Sequence, residues 1–224
     1  MAMRLAAAVA YARSDSTMVW CVSMLMYKVQ VGRDRRFVES SSCNDWEGVV
    51  CPRSPGHQRA GRRTTQLHLD LVPLHVVDFS RTMLGEIVVT ERALQVLRGA
   101  GLTGFVAEPA VVASWPKGVS PPASTPLWEL VVTGDAGPAH AASGITLLRH
   151  CEGCGLREYS DFKHGIVVDE ATWDGTDFCR VREYPGHVLV SPRAKAVVEA
   201  NRLSNIGFLD SALLSWPPGV VRPK

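Results

Sequence analysis

Two segments of the chain, about 100 positions apart, show the same order of hydrophobic and polar residues. "EIVVT" at 86–90 and "HVLVS" at 187–191 are β-branched runs of strand length, and they end on Thr90 and Ser191. Apolar residues then recur every three to four positions, which predicts the buried face of a short helix. Hydroxyl side chains are typical helix N-caps, so we predict a strand-to-helix unit at each place.

The similarity extends along both halves of the chain. At nearly the same offset Cys51 aligns with Cys151, and "DFSR" at 78–81 aligns with "DFCR" at 177–180. Ordered matches at an almost constant offset favour an internal duplication over chance. We therefore predict an α+β fold of two pseudo-repeated halves, each a small β-sheet with a packed helix.

The distribution of prolines and strand patterns sets the predicted boundaries. "SWPKGVSPPASTP" indicates an exposed loop, and the alternating strand pattern begins only near Met26. The segments predicted are an N-terminal extension outside the core (1–23), a first half (24–113), a Pro-rich loop (114–126), a second half (127–214) and a C-terminal tail (215–224). The Ala-rich run in the extension is too short and too weakly hydrophobic for a secretory signal, so we expect the true start at Met24 or Met26.

Composition narrows the class of protein. Hydrophobic residues make up 46% of the chain and charged residues 21%, with a net charge of +2, which argues against nucleic acid and anionic membranes as partners. The sequence contains no apolar stretch approaching the roughly 20 residues that span a bilayer. Six cysteines in 224 residues are too few for a disulfide-rich secreted domain, so we expect a cytoplasmic protein whose thiols are ligands or core residues.

The motif "CEGCG" at 151–155 is the form of a zinc knuckle. Two thiolates on one tight turn, Cys151 and Cys154, point the same way, and tetrahedral zinc needs two further ligands. The offset between the halves places Cys51 at the position equivalent to Cys151, but Ser54 stands where the second thiol would be. The predicted site is therefore Cys51, Cys151 and Cys154, with His57 as the fourth ligand and Cys43 as the alternative.

Three outcomes remain open for these thiols. A zinc ion with four protein ligands has no open position, so it would be structural. The second outcome is a decayed site, whose thiols pack on a turn without a metal ion. Redox chemistry at Cys151 and Cys154 has the least support, because the motif follows a strand and lacks the helix N-terminus that activates thiols.

Catalytic signatures are missing from the sequence. It contains no H-E-x-x-H, no G-x-S-x-G, no P-loop, and no H-x-E followed by P-C-x-x-C of the zinc deaminases. The acidic residues Asp169, Asp174 and Asp177 have the Asx-turn chemistry of tight loops and caps. We expect a protein that is not an enzyme.

The motifs "GVVCPRSPG", "HCEGCG", "WDGTDFCR" and "VLVSPRA" together resemble the double-CxxCG family of myxobacteria, over about Met26 to Leu214. Members carry two CxxCG motifs about 100 residues apart, and some are similar to immunity proteins against swarming-inhibition toxins. In this chain Ser54 and Pro55 replace the Cys-Gly pair of the first motif. The resemblance implies a non-catalytic immunity protein whose partner is a cognate protein toxin. The alternative is a zinc-knuckle nucleic-acid-binding or regulatory module, which the Arg-rich stretches "GRDRR" and "QRAGRR" would serve.

Overall fold

A computed structural model describes the chain at residues 23–32, 38–40, 43–71, 77–115, 126–162 and 164–214. The predicted N-terminal extension, except Ser23, lies outside the described residues. So do residues 116–125 of the Pro-rich loop and the predicted tail 215–224.

The described residues form a mixed α+β structure, mostly strands, with two helices. The strands are β1 Ser23–Met24, β2 Tyr27–Val31, β3 Val38–Ser40, β4 Trp46–Val49, β5 Arg59–Arg63, β6 His68–Leu71, β7 Phe79–Arg81, β8 Ile87–Thr90, β9 Phe105–Ser114, β10 Leu127–Val132, β11 Gly134–Asp135, β12 Leu147–His150, β13 Arg157–Tyr159, β14 Val168–Asp169, β15 Phe178–Arg180, β16 Leu189–Val190 and β17 Ile206–Asp210; the helices are α1 Glu91–Gly99 and α2 Pro192–Ala200.

Both helices begin where the hydroxyl residues predict. Thr90 Oγ1 accepts a hydrogen bond from the backbone N–H of Ala93 at 3.2 Å. Ser191 Oγ accepts one from the N–H of Ala194 at 3.1 Å. Each cap satisfies an amide that has no partner within its helix, and Pro192 occupies the first helical position of α2, where its missing N–H costs nothing.

The two large sheets exchange a strand. A six-stranded sheet has the order β3-β6-β9-β10-β8-β7, and a five-stranded sheet has the order β11-β15-β16-β2-β17. Strand β10, from the predicted second half, therefore lies between β9 and β8, and β2, from the predicted first half, lies between β16 and β17. The predicted segments 24–113 and 127–214 do not each build a sheet of their own.

The hydrophobic core also joins the two halves. One buried cluster contains residues from both helices and both large sheets, among them Val29, Leu94, Leu130, Phe178 and Val198. Because apolar residues of the two halves bury one another, separating the halves would expose this cluster to water.

A buried carboxylate connects the start of α1 to the turn after α2. Asp78 accepts hydrogen bonds from Thr90 Oγ1 at 3.1 Å, from Arg92 Nη1 at 2.6 Å and from the backbone N–H of Ser204 at 2.8 Å. Burial alone would raise the pKa of Asp78, but the hydrogen bonds from Ser204, Arg92 and Thr90 outweigh it and hold the pKa below its ordinary value.

A second carboxylate makes the corresponding contacts at α2. Asp177 accepts from Ser191 Oγ at 2.7 Å, from the backbone N–H of Thr103 at 3.0 Å and from Arg193 Nη1 at 3.3 Å. Arg193 also donates to the carbonyl of Ala100 at 2.6 Å, at the end of α1. Each carboxylate thus orients its own helix cap and holds the turn that follows the other helix.

Candidate metal centre

The second hairpin, β12 and β13, carries the C-x-x-C-G motif on its turn. The backbone N–H of Cys151 donates to the carbonyl of Leu156 at 2.8 Å, and the N–H groups of Cys154 and Gly155 donate to the carbonyl of Cys151 at 3.3 and 2.7 Å. Gly155 has a φ of +69°, a left-handed conformation that favours glycine. This turn directs both thiols to one side of the hairpin.

The first hairpin, β4 and β5, reaches the same place by a longer turn. Cys51 follows the end of β4, and a single 3-10 turn, Pro55–His57, precedes β5. The N–H of His57 donates to the carbonyl of Ser54 at 3.1 Å. The turn brings an imidazole, instead of a second thiol, to the C-x-x-C pair.

The four side chains form one compact group. Cys51 Sγ lies 3.7 Å from Cys151 Sγ, and Cys154 Sγ lies 3.8 Å from His57 Nδ1. The four ligand atoms all lie within 4.8 Å of one another. Tetrahedral zinc with bonds of about 2.3 Å to sulfur places its sulfur ligands about 3.8 Å apart, so the spacing fits one metal ion.

The sequence predicts His57 as the fourth ligand and Cys43 as the alternative, and the structure places His57 in the group. Cys43 is exposed and is not one of its members. Cys179 is buried in the core, where burial raises the pKa of its thiol to about 12 and keeps it protonated. Cys21 lies outside the described residues.

The thiols differ in their protonation. Burial raises the pKa of Cys51, whereas a hydrogen bond from Arg59 lowers the pKa of Cys154 to about 6. The lowered pKa favours the thiolate form of Cys154 even without a metal ion. A thiolate is the form that binds zinc, so this side chain is prepared for coordination.

Arg59 is the residue of this site that the sequence analysis missed. Its Nη1 donates to Cys154 Sγ at 3.5 Å and to the carbonyl of His57 at 3.3 Å, and its Nη2 donates to the carbonyl of Cys154 at 3.0 Å. It lies in "QRAGRR", which the sequence presents as a solvated basic stretch. Only the pairing of the two hairpins gives this arginine its partners.

The tips of the hairpins also touch. Arg53 Nη1 lies 3.1 Å from Glu152 Oε2, with side chains 63% and 72% exposed. An ion pair this exposed adds little stability, since water screens it and two flexible side chains must be ordered. This pair therefore contributes little to holding the hairpins together.

The acidic residues at 169–177 make turn and cap contacts, as the sequence predicts. Asp169 Oδ1 accepts from the N–H of Ala171 at 2.9 Å, and Asp174 Oδ1 accepts from the N–H of Thr176 at 3.0 Å. Asp177 serves the cap of α2. These carboxylates are already engaged as acceptors, so they do not indicate a second metal site.

The four tryptophans among the described residues, Trp46, Trp115, Trp128 and Trp173, are each partly buried. Trp128 Nε1 donates to Glu91 Oε2 at 2.6 Å, and Trp173 Nε1 donates to the carbonyl of Thr176 at 3.1 Å. Trp115 packs against a buried cluster that includes Leu69. Trp46 lines a large cleft to which β5 and β10 also contribute.

Comparison with known proteins finds no family model that matches this chain and no curated protein with significant similarity. Among the described residues, neither helix has the length and apolarity needed to cross a membrane.

Proposed function

We propose that this protein binds one structural zinc ion through Cys51, His57, Cys151 and Cys154 and acts, without catalysis, as an immunity protein that neutralises a cognate antibacterial toxin. The observation that carries the metal part is the group of four ligand atoms within 4.8 Å. Three sulfurs and one imidazole nitrogen are ligands that zinc prefers, and four of them leave no position for a substrate. The role of such an ion is to hold the two hairpins together.

We also propose that the chain is an internal duplication whose halves exchange a strand. Three observations support this. Strands β2 and β10 occupy corresponding central positions in the two large sheets, Asp78 and Asp177 make corresponding contacts, and the two hairpins meet at Cys51 and Cys151. Exchange of equivalent strands is a low-cost rearrangement, because each strand finds nearly the same neighbours in either half.

The toxin-binding part of the proposal rests on the resemblance to the double-CxxCG family. Support from the surface comes from apolar side chains on the paired hairpins: Val50 is 73% exposed, Leu147 52% and Leu148 57%. Exposed apolar groups on a rigid support are typical of protein-binding surfaces. We therefore place the toxin contact on the paired hairpins, at Val50, Leu147 and Leu148.

The metal part is tested by measuring zinc in purified protein. We expect about one equivalent per chain, as a closed four-ligand site requires. The Cys154→Ser variant should lose it, and Cys43→Ser, which removes an exposed thiol outside the group, should keep it. Wild-type protein that contains no zinc after production in zinc-supplemented medium and purification would refute this part.

The toxin part has a separate test. The candidate toxin is the protein encoded by the neighbouring gene. Production of the immunity protein in a cell that is sensitive to this candidate should rescue growth. The two proteins should also copurify with nanomolar affinity, on the order of −12 kcal/mol. Leu148→Arg should abolish rescue while the zinc content stays at one equivalent. Cys179→Ala, which changes a buried thiol outside the proposed contact, is the control and should be produced and rescue as wild type does. Rescue that persists in Leu148→Arg, or salt-sensitive binding to nucleic acid instead of the neighbouring protein, would contradict the proposal.

A further inference from the structure

A large cleft lies apart from the four ligands of the candidate metal centre. Its volume is about 1110 Å³, and β5, the β7–β8 turn, β10 and β15 contribute to its lining. Five cationic side chains face it: Lys28, Arg62, Arg63, Arg81 and Arg180. Three carboxylates, Glu86, Glu108 and Glu129, also contribute. The lining is therefore rich in charge and carries more cations than anions.

Two of the three carboxylates already have partners. Glu129 accepts from Arg63 Nη2, and the two side chains are only 10% and 11% exposed. Glu86 accepts from Thr82 Oγ1. Glu108 is exposed to solvent. The buried carboxylate of Glu129 is thus hydrogen-bonded to Arg63, and it acts on Arg180 only through its charge.

Of the two arginines in the cleft whose Nε is unsatisfied, Arg63 is ion-paired with Glu129 and the other is Arg180. Its Nε is fully buried and has no hydrogen-bond partner among the described residues. Burial and the charge of Arg81 lower the pKa of its guanidinium from its ordinary value, and the charge of Glu129 offsets them in part. A partly buried guanidinium whose Nε lacks an acceptor is costly, so the arrangement favours an anion that supplies one.

Arg81 lies at the corresponding position of the other half. It ends "DFSR" on β7 as Arg180 ends "DFCR" on β15, and both side chains line the same cleft. Within the described parts of the chain the guanidinium of Arg81 donates no hydrogen bond and forms no ion pair. Two guanidinium groups from equivalent positions therefore converge on one space, one partly buried and one exposed.

We propose that this cleft binds an oxyanion, a phosphate or a carboxylate group, between Arg180 and Arg81. A guanidinium presents parallel N–H donors whose spacing matches the oxygens of these groups, and it stays charged when partly buried. The exposed Arg81 attracts the anion, and the partly buried Arg180 donates to it where water has less access. This site is independent of the zinc ion and of the toxin contact.

The direct test titrates the zinc-loaded full chain with inorganic phosphate and, separately, with citrate, at constant ionic strength made up with sodium chloride. Melting temperature and calorimetric affinity are measured. At least one of the two anions should raise the melting temperature and bind with one-to-one stoichiometry. The tighter of the two identifies the class of oxyanion, and failure of both to bind above the chloride control overturns the proposal.

Variants at the two arginines sharpen the test. Arg180→Met should lose the anion-dependent rise in melting temperature, because it removes the guanidinium that donates to the anion. Arg81→Gln should weaken binding about tenfold, the loss expected for one charged hydrogen bond. Arg149→Gln, on β12 and away from the cleft, should bind as wild type does.

An additional variant covers failure of Arg180→Met to fold. Arg180→Lys keeps the charge and most of the volume but removes the fork of donors, so it should fold and bind at least about tenfold more weakly. Binding within twofold of wild type in both Arg180→Lys and Arg81→Gln would refute the assignment of these residues.

Discussion

The two hairpins of the candidate metal centre each contribute two candidate ligands, but their turns differ. The second hairpin places two thiols with a four-residue turn whose Gly155 has a φ of +69°. The first hairpin has Pro55 at the corresponding position, and proline is restricted to a φ near about −65°. It cannot form the same knuckle, so its turn extends to His57. Four candidate ligand atoms therefore come together although Ser54 carries no thiol, because the following turn brings His57 to the three cysteines.

The largest effect should come from the second hairpin. Replacing Cys154 by Ser removes a thiolate that Arg59 already stabilises, and we expect zinc affinity to fall at least about a hundredfold, the upper end of losses seen even for the supporting residues of metal sites. Competition with a chromophoric chelator measures this loss. An affinity within a few-fold of wild type would show that Cys154 is not a ligand.

A smaller loss is expected at the first hairpin. His57→Ala leaves three thiols, and water can take the fourth position, so we expect affinity to fall about tenfold to a hundredfold. The comparison between hairpins is sharpened by restoration. Ser54→Cys in the His57→Ala background should recover little by itself, because Pro55 prevents the knuckle, whereas Ser54→Cys with Pro55→Gly should recover most of the affinity. Recovery by Ser54→Cys alone would refute the role assigned to Pro55.

The third effect concerns protonation. In chelator-treated protein the alkylation rate of Cys154 should rise with pH around a midpoint near 6, because only the thiolate reacts. Arg59→Gln removes the hydrogen bond that lowers this pKa, so the midpoint should move upward toward the ordinary thiol value. The Arg149→Gln variant, which leaves Arg59 in place, is the control. An unchanged midpoint in Arg59→Gln would contradict the effect assigned to Arg59.

The smallest effect should come from the tips. Arg53→Gln breaks the exposed pair with Glu152, and we expect the free energy of unfolding to change by less than about 0.5 kcal/mol, with zinc affinity unchanged. Urea denaturation of wild type and variant under matched salt gives the difference. A loss well above this would mean that the tips, and not the ligands, hold the hairpins together.

The strand-to-helix units were predictable because their signals are local. The side chains of Thr90 and Ser191 accept hydrogen bonds from the backbone amides three residues ahead. The spacing of the apolar residues that follow indicates which face of each helix is buried. The candidate ligands could be named for a similar reason, since the spacing of Cys151 and Cys154 fixes the turn between them. The choice between His57 and Cys43 could not be made, because both lie close to Cys51 in sequence.

The sequence by itself determined the two capped helices and the turn at 151–155, since each depends on residues near one another, and the offset of 100 positions led to the prediction that Cys51 meets Cys151. Tertiary structure alone decided that β2 and β10 exchange sheets, that His57 joins the thiols, and that Arg59 contacts Cys154. Strands of similar pattern fit either sheet equally well when only their own residues are considered. The choice depends on the packing of the whole core and on the path of the chain between the halves, and these are properties of the folded molecule.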